Sequence, residues 1–189
     1  MSCFETGPIR PPSEAESILL RLTRNCHWNK CAFCPVYKGT QFSMRKAAEV
    51  KADIDTMSMI AERIYRELNA RYPDRADNTA VVRIMKEIDF GPGIDNGCAR
   101  QVAFWIYHGM KSLFLQDADA LVLRTNDLVE ILYYVREKFP TIERITTYSR
   151  AQTVCRKSQE ELALLRAAGL NRIHIGMESG SDEVLVLVN

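Results

Sequence analysis

The sequence predicts an α/β fold of parallel strands and helices, part of a TIM-type barrel with about four of its strand-helix units. Three observations lead there. Short apolar runs at residues 18–22, 113–116, 145–148 and 173–177 have strand length and are bounded by turn-forming residues. Between the later runs fall stripes of apolar residues at three- and four-residue steps, such as Leu128, Ile131, Leu132, Val135 and Phe139. A helix joining two strands of one sheet makes those strands parallel, through a right-handed crossover.

Composition narrows the classes. The 189 residues fit one domain, and 47% hydrophobic residues supply a core. A net charge of +1 with no basic tract gives no strong nucleic-acid signal. No apolar run approaches a membrane span, and residues 1–10 lack the apolar centre of a signal peptide. Six cysteines, three of them clustered, fit a reducing cytoplasm better than a disulfide scaffold. Cys3, Cys98 and Cys155 are scattered and read as structural or free thiols.

In chain order, residues 1–17 form a lead-in whose Gly7-Pro8-Ile9-Arg10-Pro11-Pro12 stretch is stiff and extended, because prolines fix their own dihedrals and bias the residue before them. It is expected to run outside the fold and deliver the chain to the first strand. Residues 18–189 form the domain proper, with a helical insertion at about 40–110 that is longer than a crossover needs. Inside it, Ile54, Met57, Ala61, Ile64 and Leu68 share a helix face that ends near Tyr72-Pro73. Val81, Val82, Met85 and Ile88 mark a second helix, stopped by Phe90-Gly91-Pro92-Gly93. The glycine-rich stretch 91–97 follows no strand, so it reads as a mobile connection rather than a phosphate loop. A third helix covers 100–107, with Gly109 at its C-terminal turn.

The regular part begins at the second strand, which ends in Gln116-Asp117-Ala118-Asp119. Thr125-Asn126-Asp127 starts a helix, and the third strand leads into Tyr148-Ser149-Arg150. Ser158 and Glu161 make a capping box for a helix that carries Leu162, Leu165 and Ala168 and ends at Gly169. In the fourth strand, alternation sends Ile173, Ile175 and Met177 toward covering helices, and His174, Gly176 and Glu178 into the barrel. His174 lies deeper and reads as a hydrogen-bonded core histidine. Ser181-Asp182-Glu183 starts a last helix.

The chemistry concentrates at residues 24–39, directly after the first strand, where Cys26, Cys31 and Cys34 share one loop. Three thiolates so close must converge, and soft sulfur ligands select zinc, copper(I) or an iron-sulfur cluster. A structural zinc site takes four protein ligands, which here would make His27 the fourth and the chain a non-catalytic, zinc-stabilised binding module. Three thiolates on a four-iron cluster leave one iron open to a substrate.

With Phe33 just before the third cysteine, this loop resembles that of the radical SAM enzymes, although the gap between Cys26 and Cys31 is one residue longer than their usual pattern. The resemblance is to the group containing the methylthiotransferases and oxygen-independent coproporphyrinogen oxidases. It implies a [4Fe-4S] cluster on Cys26, Cys31 and Cys34, reduced by an electron-transfer protein. S-adenosylmethionine would bind the open iron and be cleaved to a 5′-deoxyadenosyl radical. Asp117, ahead of Asp119, would then receive the methionyl ammonium, in place of the Gly-Gly-Glu-like motif usual there, the alternative being that these paired aspartates are helix or turn caps. Arg150 would hold the carboxylate, the alternative being a solvent-facing arginine. Glu178, within Gly176-Met177-Glu178-Ser179-Gly180, would accept from the ribose hydroxyls, and Phe33 would lie beside the cofactor. The resemblance covers the first four of six strand-helix units. The chain is therefore expected to be a fragment of a larger protein, inactive alone for want of an adenine site, with its substrate unassigned.

Overall fold

The structure, a computed structural model, describes residues 3–73, 77–87, 90 and 93–188. Strand β1 (Ile18–Arg21) is followed by β2 (Thr23–Arg24), which pairs antiparallel with β3 (Ser43–Met44). Helices α1 (Ala47–Arg71), α2 (Asn78–Glu87) and α3 (Asn96–Tyr107) form the insertion. Then come β4 (Ser112–Gln116), α4 (Thr125–Lys138), β5 (Arg144–Ser149), α5 (Ala151–Cys155), α6 (Gln159–Ala168), β6 (Leu170–Ile175) and α7 (Asp182–Val188). The main sheet has the order β1-β4-β5-β6 and is parallel throughout.

Register and alternation give the sheet two unlike faces. Ile18, Leu20, Leu113, Leu115 and Ile145 share one face and are buried; α1 packs on β1, α6 on β6, and α4 contacts both helices. The other face carries Leu19, Arg21, Phe114, Gln116, Thr146, Tyr148, Arg172 and His174 and is more polar. The α1 stripe Ile54, Met57, Ala61, Ile64 and Leu68 is buried as its spacing predicts, and Trp105 of α3 is buried against Phe4, ring centroids 5.3 Å apart.

The lead-in departs from expectation. Instead of running outside, it crosses the polar face of the sheet as a strap. The Gly7 amide donates to Gln116 Oε1 (2.8 Å), and Gln116 Nε2 donates to the carbonyls of Gly7 (3.1 Å) and Ile9 (2.7 Å). Toward the other end of the strands, Glu14 is fully buried and accepts from Ser17 Oγ (2.5 Å) and Arg144 Nη2 (3.1 Å). A segment short of backbone donors can lie on a sheet face when the sheet's side chains bond its carbonyls, and Gln116 does so.

Cys3 and Cys98 form a disulfide with Cα atoms 5.8 Å apart, while Cys26, Cys31, Cys34 and Cys155 are free. The fourth strand starts at Leu170, earlier than its apolar run, because Gly169 in the left-handed region turns the chain straight from α6 into β6. Ile88, Gly91 and Pro92, part of the expected second helix and its breaker, lie outside the described residues. Among the described residues, no helix is long and apolar enough to cross a membrane.

Candidate functional site

Parallel strands put the ends of β1, β4, β5 and β6 on one side of the sheet. The cysteine loop leaves β1 and is clasped at its base by the β2–β3 ribbon, where Thr23 pairs with Met44. Asn25 and Asn29 take the left-handed backbone that asparagine tolerates, with φ of 67° and 47°. Their side chains fold the loop on itself: Asn25 Nδ2 donates to Gln41 O (2.5 Å) and Asn29 Nδ2 to Tyr37 O (2.6 Å). The Asn29 amide points at Cys26 Sγ (3.4 Å).

Beneath the loop, Asp117 is buried among groups of the protein itself. It accepts from Arg21 Nη2 (2.8 Å) and Nε (3.2 Å), from the Asn25 amide (3.3 Å) and from the Tyr37 hydroxyl. Burial and this carboxylate push the Tyr37 phenol far above its usual range. Arg21 also meets Glu5 (2.8 Å), which in turn holds Arg24 (2.8 Å) and Arg45 (3.5 Å), and Arg45 pairs with Asp53 (2.6 Å). Asp119 is a second hub. It accepts from Ser149 Oγ (2.7 Å), Thr153 Oγ1 (2.5 Å) and the Arg150 amide (3.3 Å), so it fixes the start of α5. His27 Nδ1 lies 3.9 Å from Asp119. Burial lowers the pKa of this imidazole, Asp119 partly restores it, and Arg150 and Arg156 lower it further.

A cavity of about 840 Å³ opens between the loop and the other strand ends. Cys26, Cys31 and Phe33 line it from the loop, Tyr148 from β5, Arg150 from just beyond β5, and Glu178 from beyond β6. Ile9 of the strap closes another part of the wall. The Arg150 guanidinium stacks on Trp28 at 4.0 Å, with Lys30 4.9 Å from the same ring. Five of the residues singled out from sequence, Cys26, Cys31, Phe33, Arg150 and Glu178, therefore meet on one cavity. Cys34 sits half-buried on the same loop, and Asp117 lies under the loop rather than on the cavity wall.

Two orientations in the fourth strand differ from expectation. Ile175 and Met177 are exposed, 47% and 76%, because α7, which buries none of its own residues, does not cover them. His174, read as a hydrogen-bonded core residue, lines the cavity beside Tyr148 (5.8 Å), and its Nε2 has no hydrogen-bond partner among the described residues. Sequence reading also passed over Tyr37, Trp28 and the hub role of Asp119. A tryptophan between two thiols in a polar loop was the available signal for Trp28.

The donor set bears on what the loop can hold. Ligands on one zinc ion stand about 3.8 Å apart, given Zn–S bonds of about 2.3 Å in a tetrahedron. Among the described residues, the group whose ligand atoms all lie within 4.8 Å of one another is Cys3, Asp95 and Cys98, not the loop cysteines with His27. The sulfurs of Cys3 and Cys98 in that group are joined in the disulfide, and Cys26, Cys31 and Cys34 are free thiols. Comparison with protein-family models, curated proteins and solved structures found no match in any of the three.

Proposed function

We propose that this chain is the cofactor-binding part of a radical SAM enzyme, with Cys26, Cys31 and Cys34 holding a [4Fe-4S] cluster and S-adenosylmethionine in the adjoining cavity. The observation that carries the reading is the meeting of free loop thiols with Arg150 and Glu178 on one cavity at the ends of parallel strands. Four parallel strands in sequential order support reading the sheet as part of a TIM-type barrel. Cys26, Cys31 and Cys34 would hold the cluster, which would supply, with an electron from a reducing electron-transfer protein, the chemistry for reductive cleavage of S-adenosylmethionine.

The chain's own residues bind and orient. Arg150 has no carboxylate partner among the described residues, so its donors are free for the methionyl carboxylate while Trp28 holds the guanidinium plane. Glu178 lines the same cavity, where it would act as an acceptor for ribose hydroxyls. Phe33, 53% exposed, offers an aromatic face next to Cys34. Asp117 acts as a positioning residue, since it ties Tyr37 and Asn25, on the loop, to Arg21. Ile9 and Tyr148 add to the cavity lining. A volume of about 840 Å³ is ample for a nucleoside cofactor and a small substrate.

Anaerobic reconstitution of the full chain with iron and sulfide tests this. The expected product contains about four irons and four sulfides per chain, with a reducible cluster signal by electron paramagnetic resonance. Cys26→Ala, Cys31→Ala and Cys34→Ala should each abolish it, and Cys155→Ala should not. One zinc per chain with no sulfide overturns the proposal.

A further inference from the structure

We propose that Cys3 and Cys98 are a site of reversible thiol–disulfide exchange that fastens the N-terminal strap against the candidate site. This does not rest on the reading of the cysteine loop. The two sulfurs come from different parts of the fold, 95 residues apart in sequence. Cys3 is the exposed partner, open to a small disulfide in solution, and Cys98 is 6% exposed in the first turn of α3, so it serves as the resolving thiol.

What the bond fastens gives it significance. From Cys3 the strap runs through Phe4 on Trp105, Glu5 among Arg21, Arg24 and Arg45, and Gly7 on Gln116, and reaches the cavity wall at Ile9. A Cβ on Gly7 would stand 2.7 Å from Asp117 Oδ1, so the strap passes directly against the carboxylate that anchors the cysteine loop. Arg24, held by Glu5, lies just before Cys26. Tethering the segment at Cys3 therefore limits how far the wall and the base of the loop can open.

The chemistry balances with glutathione disulfide as oxidant. The Cys3 thiolate attacks one sulfur of glutathione disulfide, forming a mixed disulfide and expelling one glutathione thiolate. The Cys98 thiolate then attacks the Cys3 sulfur and expels the second. Two electrons pass from the protein thiols to the oxidant, and their two protons end on the two glutathione thiols. Excess glutathione runs the steps backward.

The full chain is equilibrated in glutathione buffers from reducing to oxidising, trapped with iodoacetamide and mapped by mass spectrometry. Cys3 and Cys98 should lose label together as the buffer becomes oxidising. Hydrogen exchange reads the strap through two amides with defined acceptors, Glu5 on Asp53 Oδ2 and Gly7 on Gln116 Oε1. Both should exchange at least about tenfold faster in the reduced chain, with β5 unchanged. Cys98→Ser should show the fast rate in either buffer, and Cys3→Ser, at an exposed position, should do the same if Cys98→Ser fails to fold. Label retained on both cysteines after oxidation overturns the proposal. So does an equal exchange rate of Glu5 and Gly7 in the two forms, or a redox response that survives in the serine variants.

Discussion

Asp117 carries more of the loop's geometry than any cysteine does. Its two oxygens receive Arg21, Tyr37 and the Asn25 amide with no solvent to share the charge. Removing one partner of a buried pair leaves the other uncompensated. Asp117→Asn should therefore cost about 3 kcal/mol in urea unfolding, at unchanged slope. Glu5 gives a pH signature. Burial opposes its ionisation, but the hydrogen bond from Arg24 and the charges of Arg45, Arg24 and Arg21 outweigh it and hold the carboxyl below the usual glutamate range. A lowered folded pKa means the stabilisation is complete above the ordinary value of 4.5 and is lost as pH falls through the lower folded value. Stability should then drop as pH falls from 4.5 to the lower folded value, and Glu5→Gln should flatten the drop in denaturant titrations at a series of pH values. At this scale the sequence marked Asp117 and Asp119 as functional carboxylates but could not divide their work. That division depends on Tyr37 and Arg21, 80 and 96 residues from Asp117, and on Thr153, 34 from Asp119.

Among the elements, α6 was legible from both ends. Ser158 accepts from the Glu161 amide and Glu161 from the Ser158 amide, as the capping box predicts, and Gly169 stops the helix at φ 117°. A Cβ on Gly169 would also stand 2.6 Å from Arg136 Nη2. Gly169→Ala should cost about 1 to 2 kcal/mol, read as a lowered urea midpoint, because strained backbone and a displaced arginine add. Ser158→Ala should cost about 1 kcal/mol by the same measurement. Other elements left little trace in the sequence. Helix α5 is too short to show a stripe, and the β2–β3 ribbon pairs two residues with two, below any periodic signal. The strap was misplaced because prolines report stiffness and not location; buried Phe4 and Glu14 were the residues that located it.

For the molecule as a whole, the order β1-β4-β5-β6 followed from alternating strands and helices, whereas the unequal covering of the sheet did not. Val186 and Leu187 of α7 are 77% and 76% exposed and β6 is an edge strand of the sheet, and an open edge and exposed apolar surface each invite association. The chain should therefore associate with rising concentration in sedimentation velocity, and the double change Val186→Lys with Leu187→Lys should shift it toward monomer. Unchanged association in that variant would place the contact elsewhere.

The long insertion between β1 and β4 also sets the order in which the molecule can assemble. Thr147 and Leu115 lie 32 residues apart, and Ile145 and Asn171 26, while Arg21 must find Asp117 across 96. Short closures cost less entropy, which predicts that β4, β5 and β6 form the nucleus and β1 docks late. Ile145→Val should slow refolding in stopped-flow measurements, whereas Leu20→Ala should mainly hasten unfolding. The bonds from Tyr37 and Asn25 to Asp117 wait on that last docking. During refolding, the three thiols should therefore stay reachable to an alkylating reagent after β4, β5 and β6 have paired, and lose that reactivity only as β1 docks.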